Sequence, residues 1–586
     1  MIVSEKRLDS RVKQWLRTRG QQDDQDLVCD LSLEWHSVRI VSHNARSCHS
    51  DGEFFRGHLI DYAGGAVAFG LPGLRSWRGG TRRRLDHEGQ FVYCRWDAQG
   101  VDLSHDFFGT AVVMHSSGPG YVIVSDSLLA IVDFRRFLGD PCDFDREVLL
   151  SRSVLHNIAH TQLSPDTFIT QVKFLPATQG LRIDLVPSMT TTHVGDSAVK
   201  QCVPPTVDYR EGVRAAGVNI ARLLHTLTRI GDWQGYLNLS GGYDSRVVLA
   251  GAIASGSLDR INVNCRNTAP SHRADYAVAS MLAEVFGFRL NVKERVAPAV
   301  PARQVDCTPI GLFALSSLAV YDNFSLRSAS RTRGNDINLN GIGAEVSRGN
   351  FGWRSWAQMA DAFHVGSEVD EAFRAQGVAG LRAIGADPAE TDATEWHYVG
   401  YRHALHAGRS TPLNLVGFQP LANRALVAVA RSAANTHDRH LNDGASIISD
   451  LTALLSPLAA ALPYDRPTKN LPFVHVAERS AALGGLDDLS VQPFDVHGSP
   501  GDVPAGPPEM LLRFIRGTDL NVPRDKQAVL KVAGQSLEVL QDDDLLLRTY
   551  RQLLKRARWR LLRQGAPIVG GGGDVGKLFA IRALAS

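Results

Sequence analysis

Ser240-Gly241-Gly242-Tyr243-Asp244-Ser245 decides how this chain is read. The apolar run before it, Gly235-Tyr236-Leu237-Asn238-Leu239, predicts a buried strand. The run after it, Arg246-Val247-Val248-Leu249-Ala250-Gly251-Ala252-Ile253, predicts a helix. A strand, a glycine turn and a helix N-terminus together make an anion site. The two glycines let backbone N–H groups approach a phosphate with no Cβ in the way. Ser240 and Ser245 add hydroxyl donors, and Asp244 can hold a magnesium ion that bridges phosphate oxygens. The pattern suits pyrophosphate, the group released when ATP adenylates a carboxylate.

Working outward, the segment around this turn alternates strand and helix. An amphipathic helix is expected over about 209–230, with Val213, Ala216, Ile220, Leu223, Leu224 and Leu227 on one face. Strands are expected near 260–264, 289–292 and 336–340, with helices near 274–286 and 311–326 between them. Such alternation predicts a parallel α/β sheet with ligand at the strand C-termini. Residues 1–200 read differently. Strands are expected at 90–96, 110–115, 121–125, 168–174 and 180–185, separated by Gly/Ser/Pro turns, which suggests an antiparallel sandwich. The expected fold class is therefore α/β plus α+β, in two domains of residues 1–200 and 206–586. A linker is expected over 187–205, a mobile loop over 490–510, and a solvated helix over 542–563, acidic first and basic last. Beyond 353 the pattern is mostly helical.

Bulk properties narrow the function classes. A formal net charge of +2 over 586 residues gives no reason to invoke nucleic acid or an anionic membrane as partner. No stretch of about 18 uninterrupted apolar residues reads as a membrane span. Seven scattered cysteines with no C-x-x-C pair fit a reduced, cytoplasmic protein. Cys48-His49 lacks a second pair at ligand spacing and is read as no metal site. Gly571-Gly572-Gly573-Asp574-Val575-Gly576-Lys577 has Walker-like spacing, but Leu578 stands where Ser or Thr is needed. It is read as a flexible tail.

The S-G-G-x-D-S run resembles the pyrophosphate loop of the N-type ATP pyrophosphatases, a HUP-like fold shared by asparagine, GMP and argininosuccinate synthetases and tRNA-thiolating enzymes. Further stretches narrow the resemblance to the asparagine synthetase family, with its β-lactam synthetase and lasso-peptide cyclase relatives. Gly341-Ile342-Gly343-Ala344-Glu345 is similar to the family's second glycine loop. There Gly343 would approach the nucleotide and Glu345 would join Asp244 as a magnesium ligand, one carboxylate standing where the family usually has two. Gly417-Phe418-Gln419-Pro420-Leu421-Ala422-Asn423 is similar to an element near the acceptor pocket, without its arginine and aspartate. Tyr464-Asp465-Arg466-Pro467-Thr468-Lys469 resembles the segment whose lysine enters the active site in relatives. Lys469 would there stabilise charge developing at adenylate and pyrophosphate; a plain surface lysine is an equal reading.

Three neighbouring positions bear on the chemistry. Arg246 follows the loop directly, and its planar fork is read as a phosphate ligand rather than as a solvent-facing side chain. Asp275 opens a helix and is read as its cap. Tyr398 and Tyr401 are read as core aromatics at helical spacing, with a base for an attacking amine as the alternative.

The N-terminal region resembles the family's Ntn-hydrolase-like amidotransferase domain, through 89–92, 106–109, 125–127 and 174–181. Glutamine hydrolysis there needs a cysteine at the mature N-terminus, whereas this sequence reads Met1-Ile2-Val3 and its first cysteine is Cys29. The domain is therefore expected to be glutaminase-inactive. The resemblance implies an ATP-dependent amide-forming ligase with ATP and Mg2+ as cofactors. Its substrates would be a carboxylate and an amine, in secondary-metabolite, peptide or lactam biosynthesis, with a precursor peptide or companion protein as candidate partner. Two alternatives stay open: an asparagine synthetase-like enzyme using free ammonia, and a non-catalytic nucleotide-binding partner. A tRNA-modifying role would need a basic surface and reactive cysteines, and neither is evident.

Overall fold

The computed structural model describes residues 1–586 apart from 22–23, 31–32, 79–85, 187, 203–207, 293–306, 325–334, 364–365, 409–415, 436, 438–445, 486–491, 505, 565–567 and 569–572. It is a mixed α/β structure, about half helical, with two largely antiparallel sheets and one parallel sheet.

The first sheet has six strands, in the order Lys173–Phe174, Met114–Gly118, Tyr121–Ser125, Ile2–Glu5, His36–Val41, Leu27–Asp30. The second has eight. Its central strands Glu53–Asp61, Glu88–Trp96, Gly100–His105 and Gly180–Asp184 are antiparallel neighbours. Period-2 alternation on Glu88–Trp96 explains how the layers pack. Cys94 and Trp96 share a buried cluster with Val38, Ile40 and Val122 of the first sheet. Phe91 and Tyr93 point the other way, into a cluster with Leu71 and Leu74 of the helix Gly70–Arg78. Each fully buried side chain of this kind contributes roughly 1.5–3 kcal/mol.

The third sheet is parallel, in the order Ile261–Asn264, Gln234–Asn238, Asp336–Leu339, Val416–Phe418. The helices Tyr209–Leu227, Tyr243–Ala254 and Arg273–Phe286 join its core. All six apolar positions picked out on Tyr209–Leu227 are fully buried. Near 289–292 there is only a single bridge, Leu290 to Val263. The helix expected over 311–326 is Pro309–Ser316, followed by irregular chain to 324.

Several expectations need correction. The strand expected at 110–115 begins only at Met114, because Asp106 accepts the N–H groups of Thr110 (2.9 Å) and Ala111 (2.8 Å) and folds that segment into a turn. Of 168–174 only Lys173–Phe174 is strand; Phe168, Ile169 and Val172 are buried without pairing as a strand. The expected linker holds the strand Thr190–Val194 and the helix Ala198–Cys202, while Pro204-Pro205 lies outside the described residues. The expected mobile loop contains the strand Asp495–His497, paired parallel to Ala66–Phe69, and a turn Pro500–Asp502 closed by a Ser499/Asp502 capping box. The helix Asp544–Arg558 is not simply solvated: Leu546, Tyr550, Leu553, Leu554 and Ala557 are buried, and the Tyr550 hydroxyl donates to the Leu149 carbonyl. Lastly, Gly573–Ala585 is a buried helix rather than a tail, with Lys577 fully enclosed; Gly571 and Gly572 lie outside the described residues.

Candidate functional site

The strand Gln234–Asn238 delivers the chain to the turn at 240–242, and the helix Tyr243–Ala254 starts at once. Gly242 sits at the N-cap in an extended conformation with no side chain capping the helix. The first N–H groups of a helix have no intrahelical partner and carry its positive dipole end, so they face outward as donors. The turn is held from around it. Ser245 Oγ accepts the Ser240 N–H at 3.0 Å and lies 3.0 Å from Ser240 Oγ. Asp275 accepts the Gly241 N–H at 2.7 Å, and the Asp465 N–H donates to the Gly241 carbonyl at 3.0 Å.

The second glycine loop follows the neighbouring parallel strand, Asp336–Leu339. A Cβ on Gly341 would stand 2.5 Å from the Asp244 carbonyl carbon, so the two loops touch backbone to backbone. Gly343 has φ +109°, and a Cβ there would stand 2.5 Å from the Ala422 nitrogen. That contact seats the 417–423 segment beside the loop, and the strand Val416–Phe418 joins the same sheet. Between the loops lies a cavity of about 270 Å3 at the C-terminal ends of the parallel strands, lined among others by Ser240, Asp244, Asn340, Glu345 and Gln419. Ligands of open parallel sheets bind at this end of the strands.

Two carboxylates converge on the cavity. Arg348 grips Asp244 with a two-point contact, Nε to Oδ1 and Nη2 to Oδ2, both 3.0 Å. Its Nη2 is 3.9 Å from Glu345 Oε1. Glu345 Oε2 accepts the Gly343 N–H at 3.2 Å. Burial and then the Asp244 charge raise the Glu345 carboxyl above its ordinary value, against the pull of Arg348. Burial alone would lower the Arg348 guanidinium, but Asp244 and Glu345 raise it. The turn beyond Arg348 is cupped by Glu395, which accepts the N–H groups of Asn350, Phe351 and Gly352 at 2.6–2.8 Å.

Lys469 stands beside the first loop. Its Nζ donates to Asp465 Oδ1 at 2.7 Å and lies 5.8 Å from the Tyr243 ring centre; the Tyr243 hydroxyl donates to the Lys469 carbonyl at 2.7 Å. Ser240, Gly241, Gly242, Tyr243, Asp244, Ser245, Gly343, Glu345 and Lys469 are thus brought together.

Arg246 is not among them, and its reading as a phosphate ligand is corrected. Its guanidinium is fully buried and donates to the carbonyls of Ala459 (3.2 Å), Leu462 (2.7 Å) and Pro463 (2.7 Å). It also lies 3.6 Å from the Tyr464 ring centre. Five donors in a fixed fork satisfy three carbonyls better than a lysine would, so Arg246 pins the 459–464 segment behind the loop. Asp275 is corrected too: it tethers Gly241 and caps no helix, lying within Arg273–Phe286. Tyr401 is a core aromatic whose hydroxyl donates to the Gly380 carbonyl. Tyr398 is also buried, but Glu345, Arg402 and Arg348 all act on it, in a π-helical turn Tyr398–His403 that runs past the second loop. Such turns are frequent at functional sites.

Arg348 was missed by the sequence reading. Its signal was Glu345 three residues earlier, which puts both side chains on one helical turn. Asp244 and Glu345 are hard oxygen donors of the kind magnesium takes in ones and twos, alongside phosphate and water. Among the described residues no group of three or more His, Cys, Asp or Glu forms a metal cluster. No helix among them is long and apolar enough to cross a membrane. No protein-family model matches the chain, and no curated protein matches it.

Proposed function

We propose that the chain is an ATP-dependent amide-bond-forming ligase, in which a carboxylate displaces pyrophosphate from ATP and the resulting acyl adenylate passes to an amine. One observation carries this reading: an uncapped helix N-terminus and two carboxylates, Asp244 and Glu345, face one cavity at the C-terminal ends of a parallel sheet. We read this half, 206–586, as a synthetase domain of the N-type ATP pyrophosphatase type. The two antiparallel sheets of 1–200 we read as an Ntn-hydrolase-like sandwich serving as scaffold.

The proposed roles follow from position. The N–H groups of the first helical turn bind the β- and γ-phosphates, with the Ser240 hydroxyl as a further donor, while the N–H groups of 240–242 are kept by Ser245, Asp275 and Ser240 and hold the turn in shape. Asp244 and Glu345 would hold magnesium, which when bound neutralises charge growing on the leaving pyrophosphate. The substrate carboxylate oxygen forms a bond to the α-phosphorus as the bond from that phosphorus to the bridging oxygen breaks. Lys469, one side chain away, stabilises the same charge. The amine then attacks the acyl carbon, AMP leaves, and one amine proton is released. Most of the rate would come from positioning and from donors fixed in advance.

Carboxylate-dependent exchange of labelled pyrophosphate into ATP tests the reading. Exchange should appear with the right carboxylate and vanish in Asp244→Ala; its absence across a broad carboxylate panel would overturn it. A second reading, non-catalytic nucleotide binding, is favoured by one feature: Arg348 already occupies both oxygens of Asp244. Saturable ATP binding with no AMP formed would select it.

A further inference from the structure

A second cavity, of about 180 Å3, lies between the two N-terminal sheets and outside the site just described. Phe54, Val92 and Leu103 line it from one sheet, Val124 from the other, and Leu405 from the helical part. Val503, Pro504 and Gly506–Pro508 close one side, held by Arg56, which donates to the carbonyls of Pro504 (3.4 Å) and Gly506 (2.8 Å) and to Ser42 Oγ (3.1 Å).

We propose that this cavity is the pocket for the apolar arm of the acyl substrate, a neutral aliphatic or aromatic group of about six to eight carbons. The inference rests on the ligase reading. Chemistry sets the class. The lining is mostly hydrocarbon, and burying an unpartnered charge against it would be prohibitive. The Arg56 guanidinium is spent on the Pro504 and Gly506 carbonyls and on Ser42. His58, also on the wall, is held neutral because burial lowers its pKa to about 3. Volume sets the size: an apolar cavity of about 150 Å3 takes one benzene, and this one is somewhat larger.

Placement ties the cavity to the reaction. Gln90 lines both cavities. Ala407 and Gly417 border the loop cavity, while their chain neighbours Gly408 and Val416 border this one. The His58 ring lies tilted against Phe418 of the parallel sheet, 4.1 Å between ring centres. A carboxylate held beside Asp244 can therefore send its arm past Gln90 into the N-terminal half. The two sheets thereby supply substrate selection.

The test uses the full chain and two probes. The first is benzene, with binding followed by ligand-detected NMR; saturable binding is expected in the wild type. Val92→Phe and Val112→Phe, both on the cavity wall, fill it, and each is used only if it unfolds cooperatively. Both should abolish benzene binding. The second is pyrophosphate exchange with straight-chain carboxylates from acetate to dodecanoate. KM should fall about three- to fourfold per methylene up to six to eight carbons and then stop falling. The filled variants should erase that dependence while leaving exchange with acetate unchanged. No benzene binding, or exchange indifferent to chain length, would overturn this inference and leave the ligase reading standing. Absence of exchange with every carboxylate would overturn the ligase reading, and the substrate role of the cavity with it.

Discussion

The two glycine loops sit back to back at the ends of adjacent parallel strands, yet they are built on opposite plans. The loop at 240–245 is tied at its edges, by Asp275 and Asp465 on Gly241 and by Ser245 on Ser240, and Ser240, Asp244 and Ser245 line the cavity. The loop at 341–345 turns inward. Gly343 and Glu345 bond to each other, and Arg348 reaches back across to Asp244. The first is an uncapped helix start held from its edges; the second is a locked support whose Arg348 already pairs with Asp244. On the ligase reading, binding would cost most at the second loop, where that ion pair would be traded for metal and phosphate.

The largest expected break is Asp244→Ala. On the ligase reading it removes a magnesium ligand, and it strands the Arg348 guanidinium. Pyrophosphate exchange should fall about a hundredfold or more, as when one fixed transition-state group is lost. Retained exchange would show that the first loop acts without its carboxylate. Gly343→Ala comes next, because it meets both a positive φ and the Ala422 backbone. A loss of about 1–3 kcal/mol in urea-unfolding free energy is expected. Asp275→Ala removes the acceptor that tethers the first loop and should lower exchange about tenfold with little change in unfolding, since the contact is half-buried. Arg348→Met sharpens the contrast most directly. The wild type should bind free Mn2+ weakly, by electron paramagnetic resonance, and the variant more tightly by several-fold. Equal binding would mean the guanidinium does not guard the carboxylates.

The smallest effect is on pH. Glu345 has its carboxyl raised above the ordinary 4.5 by burial and by Asp244. The folded state then holds a proton that the unfolded chain gives up near its ordinary value. Stability from this group is full below 4.5 and is lost as pH rises through the folded-state value. Glu345→Gln should flatten that slope in unfolding titrations.

The parallel sheet was legible because its signals are local. The strand before Ser240, the uncapped turn and the apolar stripe of Tyr209–Leu227 each repeat at a period that one element fixes. The helix over 311–326 was read too long, and the strand Val416–Phe418 was not read as one; three residues show no period. Side-chain destinations were less legible than elements. Arg246 looks like a phosphate ligand by sequence position. Its fate depends on the carbonyls of 459–463, more than two hundred residues away, which no local pattern encodes. Asp275 fails as a cap for the same reason: its partner Gly241 lies across the sheet. The 573–585 segment is mostly apolar, with Asp574, Lys577 and Arg582 its charged residues, and such a run argues for a buried helix over a tail.

Asp495–His497 runs beside Ala66–Phe69, so the N-terminal sheet receives its last strand from the far half of the chain. During synthesis that edge must stand bare while more than four hundred further residues are made. A growing chain halted near residue 200 would present unpaired N–H and C=O groups of the kind that recruit other strands and aggregate. Successful maturation of this protein is thus a matter of timing, and a fragment of 1–200 should precipitate unless a peptide carrying 492–503 is supplied to it.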